Sequence, residues 1–131
     1  MNMESRNKQF GFKRFLNSFK NSVEGLKYAY GNEQSMFVHA IATIFSILLG
    51  IILKIDRNEW IVVIALLMSI AMLELMNTAV EAVCDAVTLE RNSLIKISKD
   101  TASAAVFLAS VVTAIIFLLI FVPKVIAIIG A

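Results

Sequence analysis

The chain has 131 residues, of which 59% are apolar and 17% are charged. A soluble domain is usually about 45–50% apolar and about 25% charged, so this composition disfavours an ordinary soluble domain and excludes disorder. One histidine and one cysteine exclude both an internal disulfide and a zinc site of these ligands, so any bound metal must use carboxylates, which suit Mg²⁺. The net charge is +2, but six of the twelve Lys and Arg residues precede residue 30. With so apolar a chain, this basic arm favours a membrane surface over nucleic acid as its partner.

The first predicted element is an amphipathic helix over residues 10–30. Its apolar residues recur at steps of three and four, which places them on one helix face: Phe12, Phe15, Leu16, Phe19, Val23, Leu26 and Tyr30. Lysine and arginine lie mostly off that face. The pattern predicts a helix at the membrane surface, and the alternative is a helix that packs on the rest of the protein.

Three apolar stretches follow, and they predict transmembrane helices at 34–53, 60–83 and 101–122. Each is close to the roughly 20 residues that cross a bilayer, and none alternates as a barrel strand would. The sequence therefore predicts one all-α membrane domain over residues 1–131. Lys and Arg number six before the first span, two in the first loop, three in the second loop and one after the last span. This bias predicts that the N-terminus and the second loop are cytoplasmic.

The second span carries the most informative pattern, with polar residues that share one helix face: Glu74, Asn77, Thr78, Glu81 and Asp85. A carboxylate inside a membrane is expensive, and several on one stripe repel each other, so a divalent cation is expected beside them. The alternative is a polar seam that joins helices, which would account for Asn77 and Thr78 but not for two glutamates.

Polar residues near the same membrane face could complete this site. Glu33 precedes the first span and is either a second ligand for a cation at Glu81 or an ordinary residue at a helix start. Lys99 and Asp100 are placed at the start of the third span, where Lys99 could meet a phosphate and Asp100 could cap the helix. His39 is expected to serve core packing or a hydrogen bond.

Together these residues resemble the bacterial integral-membrane lipid kinases of the diacylglycerol kinase and undecaprenol kinase family. The resemblance is carried by Asn32-Glu33, by the block from Glu74 to Asp85, and by the run from Lys99 through Ser103, with matching spacings between them. It covers nearly the whole chain. It implies a homotrimeric helical bundle in the bacterial plasma membrane that uses Mg²⁺ and transfers the γ-phosphate of ATP to a lipid hydroxyl.

The resemblance also implies roles for individual residues. Glu74 matches the general base on the lipid hydroxyl, Asn77 matches a polar residue beside it, and Glu33 and Glu81 match the Mg²⁺ ligands. Arg14, Glu74 and Ser103 match positions near the lipid. Ten residues match positions around the nucleotide: Arg14, Asn21, Glu33, Glu81, Asp85, Glu90, Arg91, Asn92, Lys99 and Asp100. Among them, Asn21 stands where an aromatic residue is expected from the family.

The favoured acceptor is undecaprenol, since the apolar run beyond Pro123 resembles the longer ends of that branch, and diacylglycerol is the alternative. Two readings of other classes stay open at this point. Membrane carboxylates also mark ion paths, so a small ion- or proton-coupled transporter is one of them. The other is a structural subunit of a larger helical complex.

Overall fold

The computed structural model describes residues 11–130, and this part of the chain contains helices and no strand. The four helices are α1 Phe12–Asn32, α2 Gln34–Ile52, α3 Arg57–Val87 and α4 Ser93–Ile129. The predicted all-α fold is therefore confirmed. The chain divides after Asn32 into two units, and α1 is described separately from the other three helices.

Helix α1 has 21 residues and presents several exposed aromatic side chains, among them Phe12, Phe15 and Phe19. Residue 10, where the predicted surface helix begins, lies outside the described residues. The structure confirms a helix in this region. Its place on a membrane surface stays a prediction.

Helices α2, α3 and α4 are each long and apolar enough to cross a membrane. The 31 residues of α3 and the 37 residues of α4 correspond to about 46 Å and about 55 Å of helix. Both lengths exceed the roughly 30 Å of a hydrocarbon core, so each helix has ends that lie beyond it. For this reason α3 and α4 extend past the predicted spans 60–83 and 101–122.

The turn between α2 and α3 is closed by a capping box. The Asp56 carboxylate accepts hydrogen bonds from the backbone N–H groups of Asn58 and Glu59, at 2.7 and 3.0 Å, and Glu59 Oε2 accepts one from the Asp56 N–H at 2.7 Å. The bond from the Glu59 N–H is the main cause that lowers the pKa of Asp56. This reciprocal arrangement defines the start of α3 and makes α2 and α3 an antiparallel hairpin.

Helices α3 and α4 are also antiparallel, and an ion pair joins them at each end of their shared length. Glu59 Oε2 meets Lys124 Nζ at 2.9 Å at the start of α3, and Asp85 meets Lys99 at its other end. The apolar core lies near the Glu59 end and is formed by Ile55, Val63, Leu67 and Phe121. The polar face that begins at Glu74 therefore lies away from this core, toward the α3–α4 connection.

Gly50 gives a test of the close packing at the α2–α3 turn. A Cβ atom at this position would lie 2.8 Å from Trp60 Cη2 and 3.0 Å from Ile55 Cδ1, whereas a Cβ at Gly25 of α1 would meet nothing within 4 Å. Alanine in place of glycine inside a helix usually stabilises by about 0.5–1 kcal/mol, but overpacking costs about 1–3 kcal/mol.

We therefore expect Gly50→Ala to lower the free energy of unfolding by about 1–2 kcal/mol and Gly25→Ala to raise it slightly. Thermal unfolding in detergent, followed by circular dichroism, measures both changes. Equal stabilisation by the two alanines would show that Gly50 is not closely packed.

Candidate functional site

The polar face predicted for the second span lies on α3. Glu74 and Thr78 are buried, Asn77 and Glu81 are half-buried, and Asp85 is exposed near the helix end. At about 1.5 Å per residue, Glu74 and Glu81 are separated by about 10 Å along the axis. The face therefore runs from a buried carboxylate to an exposed one.

Glu74 is held by two side chains of α2. Its Oε2 accepts a hydrogen bond from Ser35 Oγ at 3.1 Å, and its Oε1 lies 3.0 Å from His39 Nε2. The Thr78 hydroxyl donates to the backbone carbonyl of Glu74 at 3.0 Å, so its hydrogen bond does not involve the Glu74 carboxylate. Only 4% of Glu74 is exposed, so these contacts offset much of the burial of its polar atoms.

Asn77 and Glu81 form the next step along the face. Asn77 Nδ2 donates to Glu81 Oε1 at 3.2 Å. Asn77 Oδ1 is buried and accepts no hydrogen bond from the described residues. A buried acceptor of this kind usually has a water or a bound molecule as its partner, so Asn77 offers a polar atom to a ligand beside Glu81.

A groove of about 570 Å³ opens where α3 meets α4. Two ion pairs lie in its lining, between Lys99 and Asp85 and between Lys96 and Asp100. The remaining lining comes mostly from the α3–α4 connection: Thr88, Leu89, Glu90, Arg91, Asn92, Ser93 and Ile95. The groove thus combines three basic side chains with polar backbone at the end of the helix hairpin.

The structure brings together six of the residues predicted to surround a nucleotide. Asp85, Glu90, Arg91, Asn92, Lys99 and Asp100 all line this groove. Lys99 of α4 contacts Asp85 of α3, and the two helices are antiparallel. Ser103 is exposed one turn after Lys99, and Glu81 lies one turn before Asp85, so Ser103 and Glu81 lie at the same height along the helix pair.

Three predicted site residues lie apart from these. Glu33 is half-buried at the N-cap of α2, where its side chain makes no capping hydrogen bond. Arg14 and Asn21 are exposed residues of α1, in the other unit. Their predicted roles near the nucleotide and the lipid stay predictions.

One detail of the sequence analysis is wrong. Lys99 and Asp100 do not start the last helix, because α4 begins at Ser93 and Asn92 caps it by accepting from the N–H groups of Leu94 and Ile95. Asp100 is therefore no cap. It lies one turn after Lys96 within α4 and pairs with that lysine.

The structure supplies counter-charges for two carboxylates of α3: Lys99 of α4 contacts Asp85, and His39 of α2 contacts Glu74. These partners come from neighbouring helices and are not adjacent in sequence. Glu81 is the carboxylate of this stripe without such a partner in the described part of the chain.

Sequence reasoning did not place His39, Ser35 or Lys96 in the site. A signal for His39 was available, because a short turn folds α2 back along α3, and residues equally far from the turn then face each other. Ser35 and Glu74 lie the same number of residues from the turn at residues 53–56, and His39 lies one helical turn from Ser35 on the same face of α2. The turn thus limits the possible partners of Glu74 to this part of α2, and the packing of the helices decides which side chains contact it.

Within residues 11–130, no group of three or more His, Cys, Asp and Glu side chains is arranged to hold a metal ion. Mg²⁺ commonly takes one or two carboxylates and fills its other positions with water and substrate phosphates. Glu33 and Glu81 offer oxygen ligands of the right kind. The antiparallel hairpin puts Glu33 beyond Ser35 and Glu81 beyond Glu74 in the same direction.

Comparison with known proteins gives consistent matches. A family model described as prokaryotic diacylglycerol kinase matches residues 20–121. An undecaprenol kinase of Bacillus subtilis is 33% identical over 122 residues, which cover 93% of this chain and 99% of that protein. A diacylglycerol kinase of Pseudomonas aeruginosa is 36% identical over 77% of this chain and 82% of its own length. A diacylglycerol kinase of Escherichia coli K12 is 30% identical over 83% of this chain and 89% of its own length.

The matched region contains the whole buried-to-exposed polar face of α3 and the groove at its end. The three helices able to cross a membrane agree with a membrane enzyme. The chain therefore belongs to the prokaryotic diacylglycerol kinase family and is a bacterial membrane lipid kinase.

Proposed function

We propose that this lipid kinase transfers the γ-phosphoryl group of ATP to the hydroxyl of undecaprenol. The observation that carries the choice of acceptor is the extent of the match to the Bacillus subtilis undecaprenol kinase, which covers 93% of this chain and 99% of that protein. The matched diacylglycerol kinases of Pseudomonas aeruginosa and Escherichia coli cover 77% and 83% of this chain. Of these three matches, the one to the undecaprenol kinase covers the most of this chain.

Glu74 is the proposed general base. It is buried in α3, and within the described residues its carboxylate oxygens contact the Ser35 hydroxyl and the His39 imidazole. The lipid oxygen attacks the γ-phosphorus, the bond from that phosphorus to the β–γ bridging oxygen breaks, and ADP leaves. Glu74 accepts the hydroxyl proton, so the step is balanced without another reactant.

The groove at the α3–α4 connection is the proposed site for the nucleotide. Lys96 and Lys99 line it as members of exposed ion pairs with carboxylates. Exposed ion pairs contribute little to stability, so these lysines can exchange their carboxylate partners for phosphate oxygens. Arg91 lines the same groove and adds a planar donor suited to phosphate.

Glu33 and Glu81 are the proposed ligands of Mg²⁺. The ion would neutralise charge on the phosphates. Asn77 donates to one oxygen of Glu81, at 3.2 Å, and so orients the carboxylate. Asn77 Oδ1 remains an acceptor for a water or a hydroxyl of the bound substrates.

We also propose a homotrimer in the plasma membrane, with α1 on the membrane surface. The family resemblance supports the trimer, and the excess of Lys and Arg before α2 and in the α3–α4 connection supports a cytoplasmic N-terminus and groove. This orientation exposes the groove to cytoplasmic ATP and leaves Glu74 deeper, toward the lipid.

The proposed acceptor is tested by measuring phosphate transfer from labelled ATP in the presence of Mg²⁺ to undecaprenol and to diacylglycerol in parallel. We expect at least a tenfold preference in kcat/KM for undecaprenol, since that corresponds to only about 1.4 kcal/mol of differential binding. Diacylglycerol is the second candidate, because relatives 30–36% identical carry that name. A preference for diacylglycerol would reverse the choice of acceptor, and transfer to neither lipid by folded protein would overturn the proposed transfer.

A further inference from the structure

Within the described residues, Glu74 is the one carboxylate of the α3 face that another helix holds through both of its oxygens. Ser35 Oγ donates to Oε2 at 3.1 Å, and His39 Nε2 lies 3.0 Å from Oε1. Ser35 and His39 are one turn apart on α2, so they contact the carboxylate from the same helix face.

We infer that His39 is a positioning residue for phosphoryl transfer, acting through a hydrogen bond from its Nε2–H to Glu74 Oε1. The inference rests on the proposed function, in which Glu74 accepts the proton of the lipid hydroxyl. An ionised carboxylate accepts and does not donate, so the contact requires the hydrogen on Nε2. His39 thereby acts on the base and does not itself touch the lipid or the nucleotide.

The geometry leaves room for substrate. A carboxylate offers about four lone-pair positions on its two oxygens, and Ser35 and His39 occupy one on each oxygen. The remaining positions can accept the lipid hydroxyl. Two donors on opposite oxygens also fix the plane of the carboxylate, which a long side chain with several rotatable bonds does not fix by itself.

His39 contributes more to this orientation than Ser35 does. The imidazole is a rigid ring with two rotatable bonds, whereas the hydroxyl of Ser35 rotates and lies in the first turn of α2, where helix ends fray. His39 also lies only partly exposed, with 26% of its side chain accessible, so water competes less with its hydrogen bond.

The contact is tested first by NMR, because the chain contains a single histidine. Protein labelled with ¹⁵N-histidine and carrying no histidine tag gives ring-nitrogen signals from His39 alone. We expect a protonated Nε2 in the wild type, and a clear shift of its signal in Glu74→Gln but not in Glu81→Gln. Identical His39 signals in the wild type and Glu74→Gln would overturn the contact.

The role is tested by kinetics. We expect His39→Leu to lower kcat by about 10- to 100-fold while the KM for ATP stays within about twofold, because a misplaced reacting group loses rate and not nucleotide binding. His39→Gln, whose side-chain N–H can replace the imidazole donor, should recover most of the activity. Ser46→Ala on the same helix is the matched control and should keep full activity, since the Ser46 hydroxyl donates to the Ala42 carbonyl of its own helix.

The outcomes separate this inference from the proposed function. An active wild type with an inactive Glu74→Gln supports the proposed function. In that case, full activity of His39→Leu would exclude His39 as a positioning residue, and so would a His39→Gln variant no more active than His39→Leu. In the Glu74→Gln background, adding His39→Leu should cost nothing further. A wild type that phosphorylates neither lipid overturns the proposed function and this role together, while NMR still reports the contact.

Discussion

Glu74→Gln is expected to lower kcat for lipid phosphorylation by about 100- to 10,000-fold, the usual contribution of a general base. Glutamine keeps the size of the side chain and can still accept from Ser35, but its amide cannot take the hydroxyl proton. The KM for ATP should change little, since the groove proposed for the nucleotide lies toward the end of α3. Initial rates with labelled ATP at saturating lipid measure the effect.

The control for this change is Glu59→Gln at the other end of the same helix. Glu59 closes the capping box and pairs with Lys124, and glutamine can retain the capping hydrogen bond. We expect its activity to stay within about twofold of the wild type, in contrast to the loss at Glu74. Glu74→Gln that keeps a tenth or more of the wild-type rate would show that another group accepts the proton.

Much of the fold follows from the sequence because membrane helices need long apolar stretches, and such stretches are easily read. The ends of the helices do not follow in the same way. Ser93 to Asp100 is polar enough to resemble a loop, yet it is helical because Asn92 caps it and Lys96 pairs with Asp100 one turn later. Polar helix outside the hydrocarbon has the composition of a loop, so hydropathy alone places the start of α4 too late.

In the candidate site too, some features could be predicted from the sequence and others could not. The shared face of Glu74 and Glu81 is fixed by helical periodicity, so it could be predicted from residue spacing alone. The partners of Glu74 and Asp85 could not, because they depend on how α2 and α4 pack along α3. Contacts between helices are set by the turns and the packing, and local patterns do not report them.

Glu81 should control the dependence on Mg²⁺, and this gives the second large effect. Glu81→Gln removes the charge but keeps an oxygen that can accept from Asn77 Nδ2, so the local hydrogen bond is retained. A metal held by two carboxylates and phosphates loses a large share of its protein ligands when one becomes an amide. We expect the Mg²⁺ concentration for half-maximal rate to rise at least tenfold, measured by titrating Mg²⁺ at fixed lipid and saturating ATP.

Lys99→Met provides the comparison that separates metal binding from phosphate binding. Lys99 pairs with Asp85 in the groove and is proposed to contact phosphate, so its loss should raise the KM for ATP several-fold and leave the Mg²⁺ dependence nearly unchanged. The two variants then differ in which titration they shift, although each removes one charge near the same groove. If Glu81→Gln and Lys99→Met shifted the two titrations alike, the charge balance of the groove would explain both effects, and Glu81 would lose its assignment as a metal ligand.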